Sequence, residues 1–195
     1  MKFTISSILL LTAFLWLGFE NVYADDDPIN LMKDVNTEEL TIKTISQEEY
    51  IKKLAEMGEV YVPSAPRVDG GTTVHREAIW TQNYPSNGNY TAYLSGLFEI
   101  SVYGSFAQID SANVGSGLSA GMYAADWVQT NSLVQSELPD TSATISATGH
   151  FTAQRTVATG GAIEIPGFSV TNTVGNTYYY ASNPMTMTRT YTVQE

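Results

Sequence analysis

Residues 142–154 of this chain read SATISATGHFTAQ, and two kinds of side chain alternate through them without a break. Ala143, Ile145, Ala147, Gly149, Phe151 and Ala153 hold one parity; Ser142, Thr144, Ser146, Thr148, His150, Thr152 and Gln154 hold the other. Successive side chains of a β-strand point to opposite faces, so a period of two predicts a strand that rests on a core through one side and is wet on the other. The core-side residues are mostly small, which suits a second sheet packed close above. An antiparallel all-β domain is therefore expected.

The end of the chain repeats the pattern: Met185, Met187, Tyr191 and Val193 oppose Thr186, Thr188, Thr190 and Thr192. Phe98, Ile100, Val102 and Phe106 are likewise expected on a core face, with Glu99, Ser101, Tyr103 and Ser105 opposite and Gly104 marking a bulge or a close crossing. Residues 72–81, 89–97, 162–165 and 178–180 supply further strand-like segments. Turn residues separate them at Pro85-Ser86-Asn87-Gly88, Pro139-Asp140, Gly160-Gly161 and Pro166-Gly167. Short strands divided by Gly and Pro predict an antiparallel β-sandwich over residues 71–195, Ig-like or jelly-roll-like in kind.

Ahead of that domain the chain has a different character. Residues 1–24 read as a secretory signal peptide, with Lys2, a nearly continuous apolar run over residues 8–19 and a small-x-small cleavage site at Val22-Tyr23-Ala24. Residues 25–70 form an acidic arm with 11 acids against five bases, whereas residues 71–195 carry eight against three. Within the arm one helix is expected over residues 46–57. Ser46 and Glu49 make a capping box, Glu48 and Glu49 occupy the first turn, and Gly58 follows the last. Tyr50, Ile51, Leu54 and Met57 line one side of it, so the helix must lie on something. Val60-Tyr61-Val62 suggests a short strand, and Pro63, Pro66 and Asp69-Gly70-Gly71 read as a linker.

A signal peptide with no cysteine behind it leaves stability to packing and sheet hydrogen bonds alone, and gives the chain the look of a bacterial exoprotein. The expected location is extracellular, with no integral membrane segment after cleavage. The net charge of −11 disfavours nucleic acid and anionic membrane surfaces as partners.

The chemistry-bearing residues form no recognisable constellation. His75-x-Glu77 would put an imidazole and a carboxylate on one strand face, but a metal needs three or four converging ligands and no third is indicated. Both are read as solvent-facing strand residues, and no metal or cofactor is expected. Glu77, Glu99, Asp110, Asp126, Glu137, Asp140 and Glu164 could in principle pair for glycoside hydrolysis, yet no spacing selects two of them. No G-x-S-x-G elbow occurs, and Gly115-Ser116-Gly117 reads as a turn, not a phosphate loop. Residues 105–159, Ser/Thr-rich and poor in charge, have the composition of a membrane-inserting hairpin, although their apolar face is mostly Ala and Gly.

Aromatic residues are the richer class. Trp80, Tyr84, Tyr90, Tyr93, Tyr103, Tyr123, Trp127 and Tyr178 to Tyr180 exceed what the core-face positions need, and flat rings beside Asn and Thr make a binding platform, with Trp80, Tyr84, Tyr90, Tyr123, Trp127 and Tyr179 its expected contacts. The expected function is a secreted, non-enzymatic interaction module that contacts a cell-wall glycan or a surface protein. A hydrolase using paired carboxylates and a small β pore-forming toxin are the alternatives.

Overall fold

The computed structural model describes residues 39–63 and 71–193. The expected signal peptide, the acidic residues before Glu39 and the linker core at residues 64–70 lie outside them. The elements in chain order are β1 (Leu40–Ile45), α1 (Gln47–Glu56), β2 (Thr72–Tyr84), β3 (Asn87–Tyr103), β4 (Phe106–Ala120), β5 (Asp126–Val134), β6 (Ser142–Thr156), β7 (Phe168–Val174), β8 (Thr177–Ser182) and β9 (Met185–Thr192). All pairings are antiparallel, and the strands make two sheets packed together: the fold is an all-β sandwich with an N-terminal helix.

One sheet is the meander β1-β2-β3-β4, and the other has the order β5-β6-β8-β7 with β9 also on β6. The alternating stretch is the spine of this second sheet. β5 runs along one edge of β6, while β9 pairs with its residues 142–149 and β8 with its residues 152–156 along the other edge. Asn183 and Pro184 interrupt that second edge, where proline has no N–H to give a ladder. Ser182 covers the gap, its Oγ accepting the Phe151 N–H at 2.9 Å.

The predicted faces of β6 are the observed ones. Ala143, Ile145, Ala147, Phe151 and Ala153 are all at most 3% exposed, whereas Thr144, Thr148, His150 and Thr152 are half-buried. Met185, Met187 and Tyr191 of β9 are buried in the same core. On the outer face the hydroxyls bond across strands, Thr144 to Thr190 at 2.9 Å and Thr148 to Thr186 at 2.8 Å.

Because β6 presents so many small side chains inward, the rest of the inter-sheet volume is filled by large residues from other strands. Trp80, Tyr84 and Tyr90 of the first sheet and Trp127 of β5 all lie in this core. Phe151 packs among them, with ring centroids 4.9 Å from Trp127, 5.5 Å from Tyr84 and 5.7 Å from Tyr90. Phe98 stacks on Tyr191 at 4.4 Å farther along. Each such pair contributes about 0.5–1.5 kcal/mol beyond its buried area.

Several local expectations are corrected. Residues 89–106 are not two strands: β3 is one 17-residue strand that ends at Tyr103. Gly104 belongs to the turn after it, with φ +60°, and Phe106 opens β4 half-exposed instead of sharing the core. Gly115-Ser116-Gly117 lies inside β4, not in a turn, and residues 60–62 and 162–165 form no strand. β4 and β5 belong to different sheets, so residues 105–159 do not make one hairpin.

The first sheet also begins before residue 71, since β1 pairs with β2 from Leu40↔Trp80 to Ile45↔His75. Among the described residues no helix is long and apolar enough to cross a membrane.

Candidate functional site

Among the described residues, the outer face of the first sheet carries α1 and the buried His75, Glu77 and Glu99. Its cross-strand rows follow from the register: His75–Glu99–Ser111, Glu77–Leu97–Asn113, Ile79–Ser95–Gly115 and Thr81–Tyr93–Gly117, each read from β2 through β3 to β4. α1 covers the first two rows. The last two lie toward its C-terminal end, where Met57 reaches over Gly115.

The helix forms and docks as its sequence dictates. Ser46 Oγ accepts the Glu49 N–H at 3.1 Å at the N-cap, and Gly58 takes φ +81° beyond the last turn. Tyr50 and Leu54, four apart on one stripe, pack with Ile45 and Leu97 in a small cluster separate from the main core. Lys53 reaches the sheet and donates to Glu77 Oε1 at 2.9 Å. That bond raises the Lys53 pKa, because it favours the charged ammonium.

His75 and Glu77 are therefore not solvent-facing, being only 6% and 5% exposed. Tyr50 stacks on the His75 ring at 4.4 Å, and His75 Nε2 lies 3.4 Å from Glu99 Oε2. Tyr61, in the segment leaving the helix, closes over the same pair with its ring centroid 6.4 Å from His75. Burial pushes the Tyr50 and Tyr61 phenols up, Tyr61 further through its bond to Glu99 and that group's charge. A cleft of about 330 Å³ bordered by Thr44, Gln47 and Tyr61 ends on His75 and Glu99. Among the described residues no three His, Asp or Glu side chains are grouped to hold a metal.

Past the C-terminal end of α1 the sheet face opens into a groove of about 570 Å³, within the range of about 300–1,000 Å³ typical of small-ligand sites. Ile79, Thr81, Tyr93, Ser95 and Gly115 line it from the sheet, Met57 and the Lys53–Glu77 pair border it on the helix side, and Gln129 reaches it from β5. The two glycines shape it. A Cβ on Gly117 would lie 2.6 Å from the Tyr93 ring, and one on Gly115 would lie 2.8 Å from the Met57 methyl. At Gly117 only bare backbone lets the rigid Tyr93 ring rest on β4.

Beside the groove Trp127 Nε1 donates to Ser116 Oγ at 2.9 Å, and Ser116 Oγ donates to Gln129 Oε1 at 2.6 Å, which fixes the amide. Ser95 is different. It is 3% exposed, and its hydroxyl has no hydrogen-bond partner among the described residues.

Four of the six aromatics expected as a platform are brought together, but in the core and not on the surface. Trp80, Tyr84, Tyr90 and Trp127 are at most 7% exposed, so the surface role is corrected to a core role, forced by the small inward face of β6. Tyr123, half-buried with φ +58° at the bend before β5, has the Arg155 guanidinium 4.4 Å over its ring. Tyr179 is half-buried on the opposite sheet, paired with Gln154. Tyr93, also among the aromatics in excess of the core, does face the groove, and the alternation Tyr93, Ser95, Leu97, Glu99 along β3 puts it on the face of Leu97. Seven carboxylates were candidates for catalysis, and two of them, Glu77 and Glu99, are tied to Lys53 and His75.

The chain matches no known protein family, no characterised protein and no solved structure.

Proposed function

We propose that the protein is a secreted, non-enzymatic interaction module that holds a glycan or a protein of the cell surface in the groove beside α1. The observation that carries it is the buried Ser95 hydroxyl without a partner, set in the lining of a roomy groove that also offers one flat ring and several polar groups. A buried hydroxyl with no hydrogen bond costs about 1–3 kcal/mol, and a ligand that bonds it recovers that cost. Glu77 is engaged by Lys53 of α1, and Glu99 lies against His75 beneath the helix, which favours binding over hydrolysis.

Expression of the full chain in a secreting host, N-terminal sequencing of the recovered protein and its co-sedimentation with washed cell envelopes form the test. A mature chain beginning at Asp25 that pellets with envelopes is the expected result. A chain retained in cells with Met1 intact contradicts secretion. Protein that stays in the supernatant while releasing soluble sugar from the envelopes contradicts the binding role in favour of a hydrolase.

A further inference from the structure

We infer that the ligand of this groove is a neutral saccharide unit, its ring lying on Tyr93 and one of its hydroxyls bonded to Ser95; this rests on the groove being the binding site. Three features of the lining select that chemistry. The first is charge. Lys53 is matched by Glu77 at 2.9 Å and Glu56 has Lys52 at 3.9 Å, so the groove presents no unmatched cation to attract an anionic group.

The second is the state of the backbone. The groove lies on β2, β3 and β4, and of these β2 and β3 are paired on both sides while β4 is the edge strand, paired with β3 alone. An extended peptide gains much of its affinity from main-chain bonds to a free sheet edge, and here that edge is β4, whereas Tyr93 and Ser95 lie on the interior strand β3. Recognition here falls to side-chain hydroxyls and amides, from Thr81, Ser95 and Gln129, which suit a ligand rich in hydroxyls.

The third is the pairing of polar and apolar surface. A pyranose ring has an apolar face and a hydroxyl-bearing rim. Tyr93, seated on Gly117, gives a flat wall of matching kind, and Ile79 and Met57 extend the apolar area. Ser95 and Gly115 face each other across the β3–β4 register, so the Met57 methyl over Gly115 is also the cover beside Ser95. Met57 is unbranched and flexible, and swings aside when the sugar hydroxyl reaches Ser95.

The test is a titration of the ¹⁵N-labelled chain, followed by amide shifts, with four probes: neutral β-linked N-acetylglucosamine oligomers, neutral β-linked glucose oligomers, an oligogalacturonate, and an unstructured neutral decapeptide. Neutral oligomers are expected to move the amides of Tyr93, Ser95, Gly115 and Gly117. Ser95→Ala is expected to weaken that binding about tenfold, the loss of one buried hydrogen bond, with the rest of the spectrum unchanged. Tyr93→Leu, which keeps apolar bulk without the flat face, is expected to weaken it further.

Shifts with the decapeptide alone overturn the saccharide inference and leave the groove as a protein-binding site. Shifts with the oligogalacturonate alone overturn the charge argument and the inference with it. Neutral oligomers that move only amides elsewhere overturn both the inference and the groove. No response of those four amides to any probe overturns the inference, whereas envelope binding of the protein is then judged by co-sedimentation alone.

Discussion

At the scale of single residues, the alternation in β6 makes a sharp demand. Phe151 and Ile145 are fully buried against the opposite sheet, while Thr148 pairs with Thr186 on the outer face. Phe151→Ala is expected to cost about 3–5 kcal/mol, Ile145→Asp at least as much through a buried charge, and Thr148→Lys no more than about 0.5 kcal/mol. Thermal melts check this, and equal shifts for the three contradict the assignment of faces. Ser95→Ala is expected to go the other way, neutral or stabilising by up to about 1 kcal/mol in the ligand-free protein, because it removes a buried hydroxyl that has no partner. A clear loss of stability by urea denaturation means that Ser95 already has a bond. The core residues of β6 and β9 were legible from parity alone. The roles of Trp80, Tyr84, Tyr90 and Trp127 were not: whether a ring on a strand is buried depends on the size of the residues across the gap, and that pairing is set by topology.

At the scale of elements, α1 was readable to its caps, since Ser46, Glu49 and Gly58 act locally. Its destination was not, because His75, Glu77, Leu97 and Glu99 become an interior only once the helix lies on them. Two shifts give its docking a pH dependence of known sign. Burial raises the Tyr50 pKa above 10.0, and the bond to Glu77 raises that of Lys53 above 10.5. In both cases the folded chain holds its proton more tightly than the unfolded one, so the contribution is complete below those values and is lost as pH rises through the folded pKa. The urea midpoint is expected to fall as pH rises above about 10, and less steeply in Tyr50→Phe and Lys53→Met; an equal slope in the variants contradicts the role of these groups. Removing residues 1–70 takes away β1, α1 and the cover of Leu97. Counting about 1.5–3 kcal/mol for each large apolar side chain of that cluster, the loss is on the order of 5 kcal/mol. A truncated chain that melts like the full one shows the sandwich to be independent of its arm.

For the whole molecule, sequence pattern sufficed for two antiparallel sheets and one helix, but strand order, the seating of β8 and β9 along a single edge, and the groove all depend on contacts far apart in sequence. The two outer faces of the sandwich then differ in kind. The face of β6 and β9 is a regular array of cross-bonded threonines, whereas the face of β2, β3 and β4 carries the helix, the groove and Ser95. Placing the binding function on the second face is the central claim, and a matched pair of surface variants tests it: calorimetric titration of soluble cell-wall glycan fragments into the native chain, Tyr93→Ala and Thr148→Lys. The predicted result is native affinity in Thr148→Lys and at least a tenfold loss in Tyr93→Ala, about 1.4 kcal/mol or more. Loss of binding in Thr148→Lys with native affinity in Tyr93→Ala would contradict it and move the site to the threonine face.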